Sequence, residues 1–335
     1  MAPPKPGVIP LRPLGVGEIL DGAFQATRKN AKAMFGSAIL FQLVVAVLMA
    51  LATGAFFGAG TNLESFIQPN GVPTAAGITF GAGIFSVFML LTLLNSFSVF
   101  VLQGVLVIPV SGAILNQHTG FKQMWNRAKG RIWPLIGLCA LWLFVGGPLF
   151  LAAVVLLIVL GVGAELNGWI IFLLALAMVI AAIWIGIKIM LAPAALVLEE
   201  IGVFASIGRS WRLVRRNWWR IFGITLLTLV IVGIVTSVVT VPIQLIVSFF
   251  GMGTAQTGSA ESMLVTTLTV SLVSTIVSSV FYAVAYAFQA GVNALMYVDL
   301  RMRHEGFDIV LMKESERLAA AAGASGPARP PEQGY

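Results

Sequence analysis

Lys188 is the one charged residue set deep inside a long apolar stretch of this 335-residue chain, ten positions before Leu198. At 1.5 Å per residue that is about 15 Å from the helix end, roughly halfway through a hydrocarbon core about 30 Å thick. A charge at such depth is a candidate for handling an ion or a substrate. No Asp or Glu stands at matching depth to complete a proton relay. The expectation is therefore a lysine whose stem runs along its helix past Pro193, placing the ammonium among headgroups. Arg209, Arg212, Arg216 and Arg220 form the second group. At 3.6 residues per turn across 204–221 they share one face, and Ile207, Trp211, Val214, Trp218 and Ile221 share the other. A basic, tryptophan-bearing amphipathic helix lies in the headgroup plane. The four arginines, with Trp211 and Trp218, are thus candidate contacts for anionic lipid or for a partner's acidic surface.

Glu199 and Glu200 could act as a general-acid pair, but beside residues 209–220 an ion-pair role is expected. His118 and His304 sit in different segments, with no His/Cys/Asp cluster at metal-ligand spacing. P-loop, dinucleotide and nucleophile-elbow motifs are absent. The single cysteine, Cys139, falls within an apolar stretch, where a reactive thiolate is not expected and no disulfide within the chain is possible. The sequence predicts no catalytic residue, no cofactor and no metal site.

The elements that must carry these residues are transmembrane helices. Apolar stretches at about 33–59, 80–115, 132–160, 168–198, 220–250 and 262–298 each exceed the roughly 20 residues a span needs. Charged residues make up 10% of the chain against 59% hydrophobic; a soluble domain carries about 25% charged residues. The connections alternate in charge. All Lys and Arg except Lys188 fall in the N-terminal segment, the second and fourth connections and the C-terminal tail, whereas the other connections hold only Glu64, Glu165 and Glu261. The positive-inside rule places both termini in the cytoplasm. The net charge of +7 then faces lipid headgroups, and no nucleic-acid partner is expected. The Pro-rich start lacks a signal-peptide pattern, so the first span is expected to serve as its own insertion signal. Residues 1–312 read as one polytopic membrane domain and 313–335 as a disordered cytoplasmic tail.

Within or near the spans, Gln42, Asn95, Gln103, Gln289 and Asn293 are expected to hydrogen-bond between helices. Pro109, Pro193 and Pro242 are expected to bend theirs. An offset of 187 residues pairs Gly15 with Gly202, Phe24 with Trp211, Arg28 with Arg215, Asn30 with Asn217 and Gly36 with Gly223. A shorter version, with Trp125 and Gly137, precedes the third span, and across 18–30 Leu20, Ala23, Phe24 and Thr27 oppose Glu18, Asp21, Gln25 and Lys29. The predicted architecture is all-α: three helical hairpins, each preceded by a cytoplasmic interfacial amphipathic helix.

Several stretches resemble a family of multi-pass bacterial proteins, the glycerophosphoryl diester phosphodiesterase membrane domain. They are Pro10 to Gly15, Gly17 to Phe24, Ala194 to Glu199, Ser210-Trp211, Arg216-Asn217 and Tyr297 to Arg303, and the likeness spans about residues 8–312. The resemblance implies a bacterial plasma-membrane protein. In some members the membrane portion is fused to a barrel that hydrolyses glycerophosphodiesters around a divalent metal. No part of this sequence corresponds to that barrel, so no phosphodiesterase residue carries over. The expected function is a non-catalytic membrane module engaging anionic inner-leaflet lipid and a protein partner or a second copy. The alternative is a transporter, channel or lipid-translocating protein, for which repeats, prolines and Lys188 speak.

Overall fold

The computed structural model describes residues 7–59, 74–163, 167–257 and 260–324. Glu64 and Glu165 lie outside them, and of Glu261 only the backbone is described. Among the described residues every regular element is helical. Six stretches are long and apolar enough to cross a membrane: Ala31–Ala52, Ala76–Ile114, Phe121–Leu156, Gly168–Leu198, Trp218–Ile246 and Leu272–Glu305. This is a multi-pass membrane protein by length and composition.

The helices are α1 (Val16–Lys29), α2 (Ala31–Ala59), α3 (Ala75–Val105), α4 (Val107–Ile114) and α5 (Phe121–Leu141). After a π-turn, Trp142–Gly146, come α6 (Gly147–Gly163), α7 (Gly168–Ile189), α8 (Ala192–Leu198) and α9 (Val203–Val214). The chain closes with α10 (Trp218–Thr257), α11 (Ala260–Glu305) and α12 (Phe307–Ala324). The breaks follow from proline chemistry. A proline lacks the N–H that bonds the carbonyl four residues back, and its ring clashes with that carbonyl. Pro109 and Pro193 therefore release Val105 and Ile189, which are the last residues of α3 and α7. Pro148 does the same at Phe144, inside the π-turn that Gly146 and Gly147 close. Pro242 lies within α10 without interrupting it.

One local pattern recurs three times. Gly15, Gly120 and Gly202 each cap a helix in extended conformation, with ψ of 167°, 158° and 169°. Asn116, Glu200 and Gly306 each follow a helix end with positive φ, at 62°, 55° and 62°. These are left-handed stops at the ends of α4, α8 and α11.

The buried core sits at one end of the bundle. It is drawn from the N-terminal segment, α1, the start of α2, the end of α3, α4, α5, α8, the α9–α10 corner and the second half of α11. Leu14, Ile19, Leu106, Leu196 and Tyr297 are fully enclosed there. Every ion pair among the described residues lies in the same layer. Away from it the helices present Leu, Ile, Val and Phe outward, as surfaces solvated by lipid do.

Four expectations need correction. No separate interfacial helix precedes the third span, because α5 runs unbroken from Phe121 to Leu141. The expected 204–221 helix turns a corner at residues 215–217 and becomes α9 and α10. In α1 the buried face is Ile19, Gly22, Ala23, Ala26 and Thr27, while Phe24 is 59% exposed. Small residues win that face because α1 packs closely on α11, where a Cβ on Gly22 would stand 2.6 Å from the Ile9 side chain and 3.0 Å from Leu295. Finally, the tail is helical to Ala324 rather than disordered from 313, and Leu311 joins the core; residues 325–335 lie outside the described residues.

Candidate functional site

Two ion-pair clusters hold the α9–α10 corner against the end of α11. In the first, Asp299 is the centre, its side chain only 3% exposed. It accepts from the Leu14 N–H at 2.7 Å, its two oxygens share the Arg303 Nε–H at 3.0 Å each, and it pairs with Arg220 at 3.1 Å. Arg220 and Arg303 also donate to the Leu14 carbonyl, at 2.6 and 2.8 Å. One carboxylate and two guanidinium groups thus satisfy both backbone groups of Leu14. A buried carboxylate needs such partners, since an unpaired charge there is strongly destabilising.

In the second cluster Glu199 accepts three hydrogen bonds from Arg209, the shortest 2.7 Å, and a short one from the Tyr297 hydroxyl. The other side of Arg209 pairs with Glu305 at 2.5 Å, and Arg301 bridges both glutamates. Burial alone would raise the Glu199 carboxyl. The hydrogen bonds from Arg209 and Tyr297, with the charges of Arg209 and Arg301, hold it below its ordinary value. The bonds to Glu305 and Glu199 raise Arg209 further above its own. The ion-pair role expected of Glu199 is present; Glu200 pairs instead with Arg131, at 2.6 Å.

These clusters change the standing of two arginines. Arg209 is enclosed by two carboxylates, and Arg220 is turned onto Asp299 and Leu14. Both are held in internal ion pairs, and Arg220 also reaches the wall of the groove between α7 and α10. Arg212 and Arg216 remain exposed, with no ion pair among the described residues, and Arg215 joins them. Arg215 and Arg216 open on a groove of about 950 Å³ between α7 and the start of α10, lined also by Trp184, Trp218 and Trp219. Trp218 stacks on Phe222 at 5.2 Å, with the rings 5° from parallel, while Trp219 is 78% exposed. Trp211 turns inward from this groove, edge-on to Trp184 at 5.4 Å.

Lys188 does not reach outward along its helix. It is 5% exposed, with its ammonium 5.1 Å from the Trp184 ring centre and 4.8 Å from that of Trp211. Two aromatic faces stabilise a desolvated cation. The break after Ile189 brings this residue beside α9, where the Ser210 hydroxyl donates to the Lys188 carbonyl at 2.7 Å. The lysine therefore pins α7 to α9 behind the groove.

Trp184 and Trp219 were not among the residues singled out from the sequence, and Arg215 entered only as the repeat partner of Arg28, not as a contact. Trp219 had a signal: adjacent helical residues diverge by about 100°, so Trp218 and Trp219 cannot share one face. Trp184 lies one turn before Lys188 on the same face, the spacing at which a ring can meet an ammonium. Arg215 had no signal, because its exposure depends on the corner.

Residues 148–300, from the start of α6 through most of α11, match a family described as a domain of unknown function (DUF7847). The match takes in Lys188, the groove and Asp299. No curated protein and no solved structure matches the chain.

Proposed function

We propose that the chain is a non-catalytic module of a bacterial plasma membrane that grips anionic inner-leaflet lipid through the arginine–tryptophan groove. The observation that carries this reading is the charge inventory of the groove. Arg215 and Arg216 face a concave surface beside three tryptophans, with no carboxylate lining it. Arginine guanidinium groups suit bidentate phosphate contact, and tryptophan favours the membrane interface. Arg212 extends the same basic surface. In this reading both termini are cytoplasmic, α2/α3, α6/α7 and α10/α11 are three hairpins entering from the same side, and the exposed outer helices suit a membrane-protein partner or a second copy.

The resemblance to the glycerophosphoryl diester phosphodiesterase membrane domain fits this proposal. Leu14, Glu199, Asp299, Arg301 and Arg303, all within the stretches that carry it, are residues of the two ion-pair clusters. They position the groove rather than perform chemistry.

The test uses protein reconstituted with brominated lipids, whose bromines quench nearby tryptophan. Wild-type fluorescence should be quenched more strongly by brominated phosphatidylglycerol than by brominated phosphatidylcholine. Changing Arg212, Arg215 and Arg216 together to Gln should remove the difference. Equal quenching of the wild type by the two lipids defeats the proposal.

A further inference from the structure

A second site lies inside the membrane span, remote from the arginines. An open cleft of about 600 Å³ is lined by α3, α5, the π-turn, α6, α7 and α11. Beside it a second cavity of about 430 Å³ shares Phe100, Gln103, Trp142 and Gly146 with the first. Both fall within the range of about 300–1,000 Å³ usual for small-molecule sites. Asn95 lies ten residues before the end of α3, about 15 Å along the helix, in the middle of the apolar stretch Ala76–Ile114.

The polar inventory of the first cavity is unusual for this depth. Asn95, Gln103 and Tyr286 line it, and none of the three side chains has a hydrogen-bond partner among the described residues. The interhelical bonds expected of Asn95 and Gln103 are not made. Leaving amides and a hydroxyl unsatisfied in an apolar medium is costly. Together they offer N–H and O–H donors as well as carbonyl acceptors, the complement of an ester or hydroxyl group. No Asp, Glu, Lys or Arg lines either cavity, so an ionic group would enter without a counter-charge. The second cavity is walled by Leu138, Leu141, Val145, Leu149, Ile189 and Met190, which suits hydrocarbon. Trp142 and Phe150 at the lip are about half exposed on the outer surface, which gives access from the bilayer. The shared wall is the π-turn, a distortion that recurs at functional sites.

We infer that these joined cavities bind one uncharged glycerolipid, its ester or hydroxyl groups on Asn95, Gln103 and Tyr286 and a hydrocarbon chain along the apolar chamber. The probe is a diacylglycerol carrying a photoreactive diazirine in one chain, with a phosphatidylglycerol of identical chains as its charged counterpart. Adducts on purified full-length protein are mapped by peptide mass spectrometry. Diacylglycerol should label segments 95–103 and 138–150 and be displaced by unlabelled diacylglycerol. Phosphatidylglycerol keeps the two esters but carries an ionised phosphodiester in place of the free hydroxyl, and with no counter-charge in either lining it should label them about tenfold less.

Two variants test the two chambers. Asn95→Leu with Gln103→Leu should abolish the preference for diacylglycerol. Gly186→Leu should block labelling of both segments while the protein stays folded, since a Cβ at Gly186 meets nothing within 4 Å. Equal labelling by both lipids overturns the inference, as does labelling that survives Gly186→Leu. So does a cavity that takes up neither lipid, which would mark it as a water pocket. The arginine groove uses other residues and a charged probe, so the two readings fail separately.

Discussion

Glu199 carries a pH dependence that can be worked out from its partners. Its folded-state carboxyl is held below the ordinary value of 4.5. A group depressed in this way contributes stability that is complete above its ordinary value and is lost as pH falls through the folded one. Hydrogen bonds to charged groups contribute roughly 1.5–3 kcal/mol, so Glu199→Gln should lower Tm measurably at about pH 6 by a loss on that scale. The gap between wild type and variant should begin to close as pH drops below about 4.5 and vanish once pH has fallen through the lower folded value, where the wild-type carboxyl is neutral too. Thermal unfolding in detergent across that range checks it; a gap that stays constant with pH shows that Glu199 is not held by its charge. Of the residue-level picture, the pairing of Glu199 was legible from the nearby arginines. The identity of its partners was not, since Tyr297 and Glu305 reach it only through the fold. Lys188 shows the same limit: its depth could be counted, but the two rings that hold it come from α7 and α9.

At the scale of elements, glycine and proline decide where helices touch and where they stop. Pro109 and Pro193 were legible as sites of bending, and the four-residue reach of the missing hydrogen bond fixes the breaks at Val105 and Ile189. The face α1 buries was legible in part: Ala23 and Thr27 are buried as the pattern has them, but that pattern also favours Phe24, whereas close packing on α11 demands Gly22. Periodicity ranks side chains by apolarity; it does not register how near the next backbone lies. Two glycine substitutions should therefore have opposite signs. Gly22→Leu must displace Ile9 and Leu295 and should destabilise by about 2–3 kcal/mol, the range for overpacking. Gly36→Ala sits in the interior of α2 with open space at its Cβ and should stabilise by about 0.5–1 kcal/mol. Thermal unfolding of the two variants reads both signs, and a stabilised Gly22→Leu shows that α1 does not pack closely on α11.

For the whole molecule, the dominant fact is the segregation of charge and core to one end. The six apolar stretches were readable from composition, because hydrocarbon admits so few other structures. The core's position was not, because it depends on α4, α8 and the α9–α10 corner folding under the bundle. That end holds the ion pairs, Arg212, Arg215 and Arg216, and the exposed His118. Moving so many cationic groups across a bilayer during insertion is unfavourable, which is the origin of the positive-inside bias. The proposal follows that this end is cytoplasmic and that Glu261 faces outward. Two single-cysteine proteins test it directly, because Cys139 is the only native cysteine and can be replaced by Ala. In that background a membrane-impermeant maleimide applied to intact spheroplasts should label Glu261→Cys, and should label His118→Cys only after permeabilisation. The reverse pattern would put the arginine groove on the outer leaflet. Lipid contact would remain possible there, but the inner-leaflet module proposed here would not.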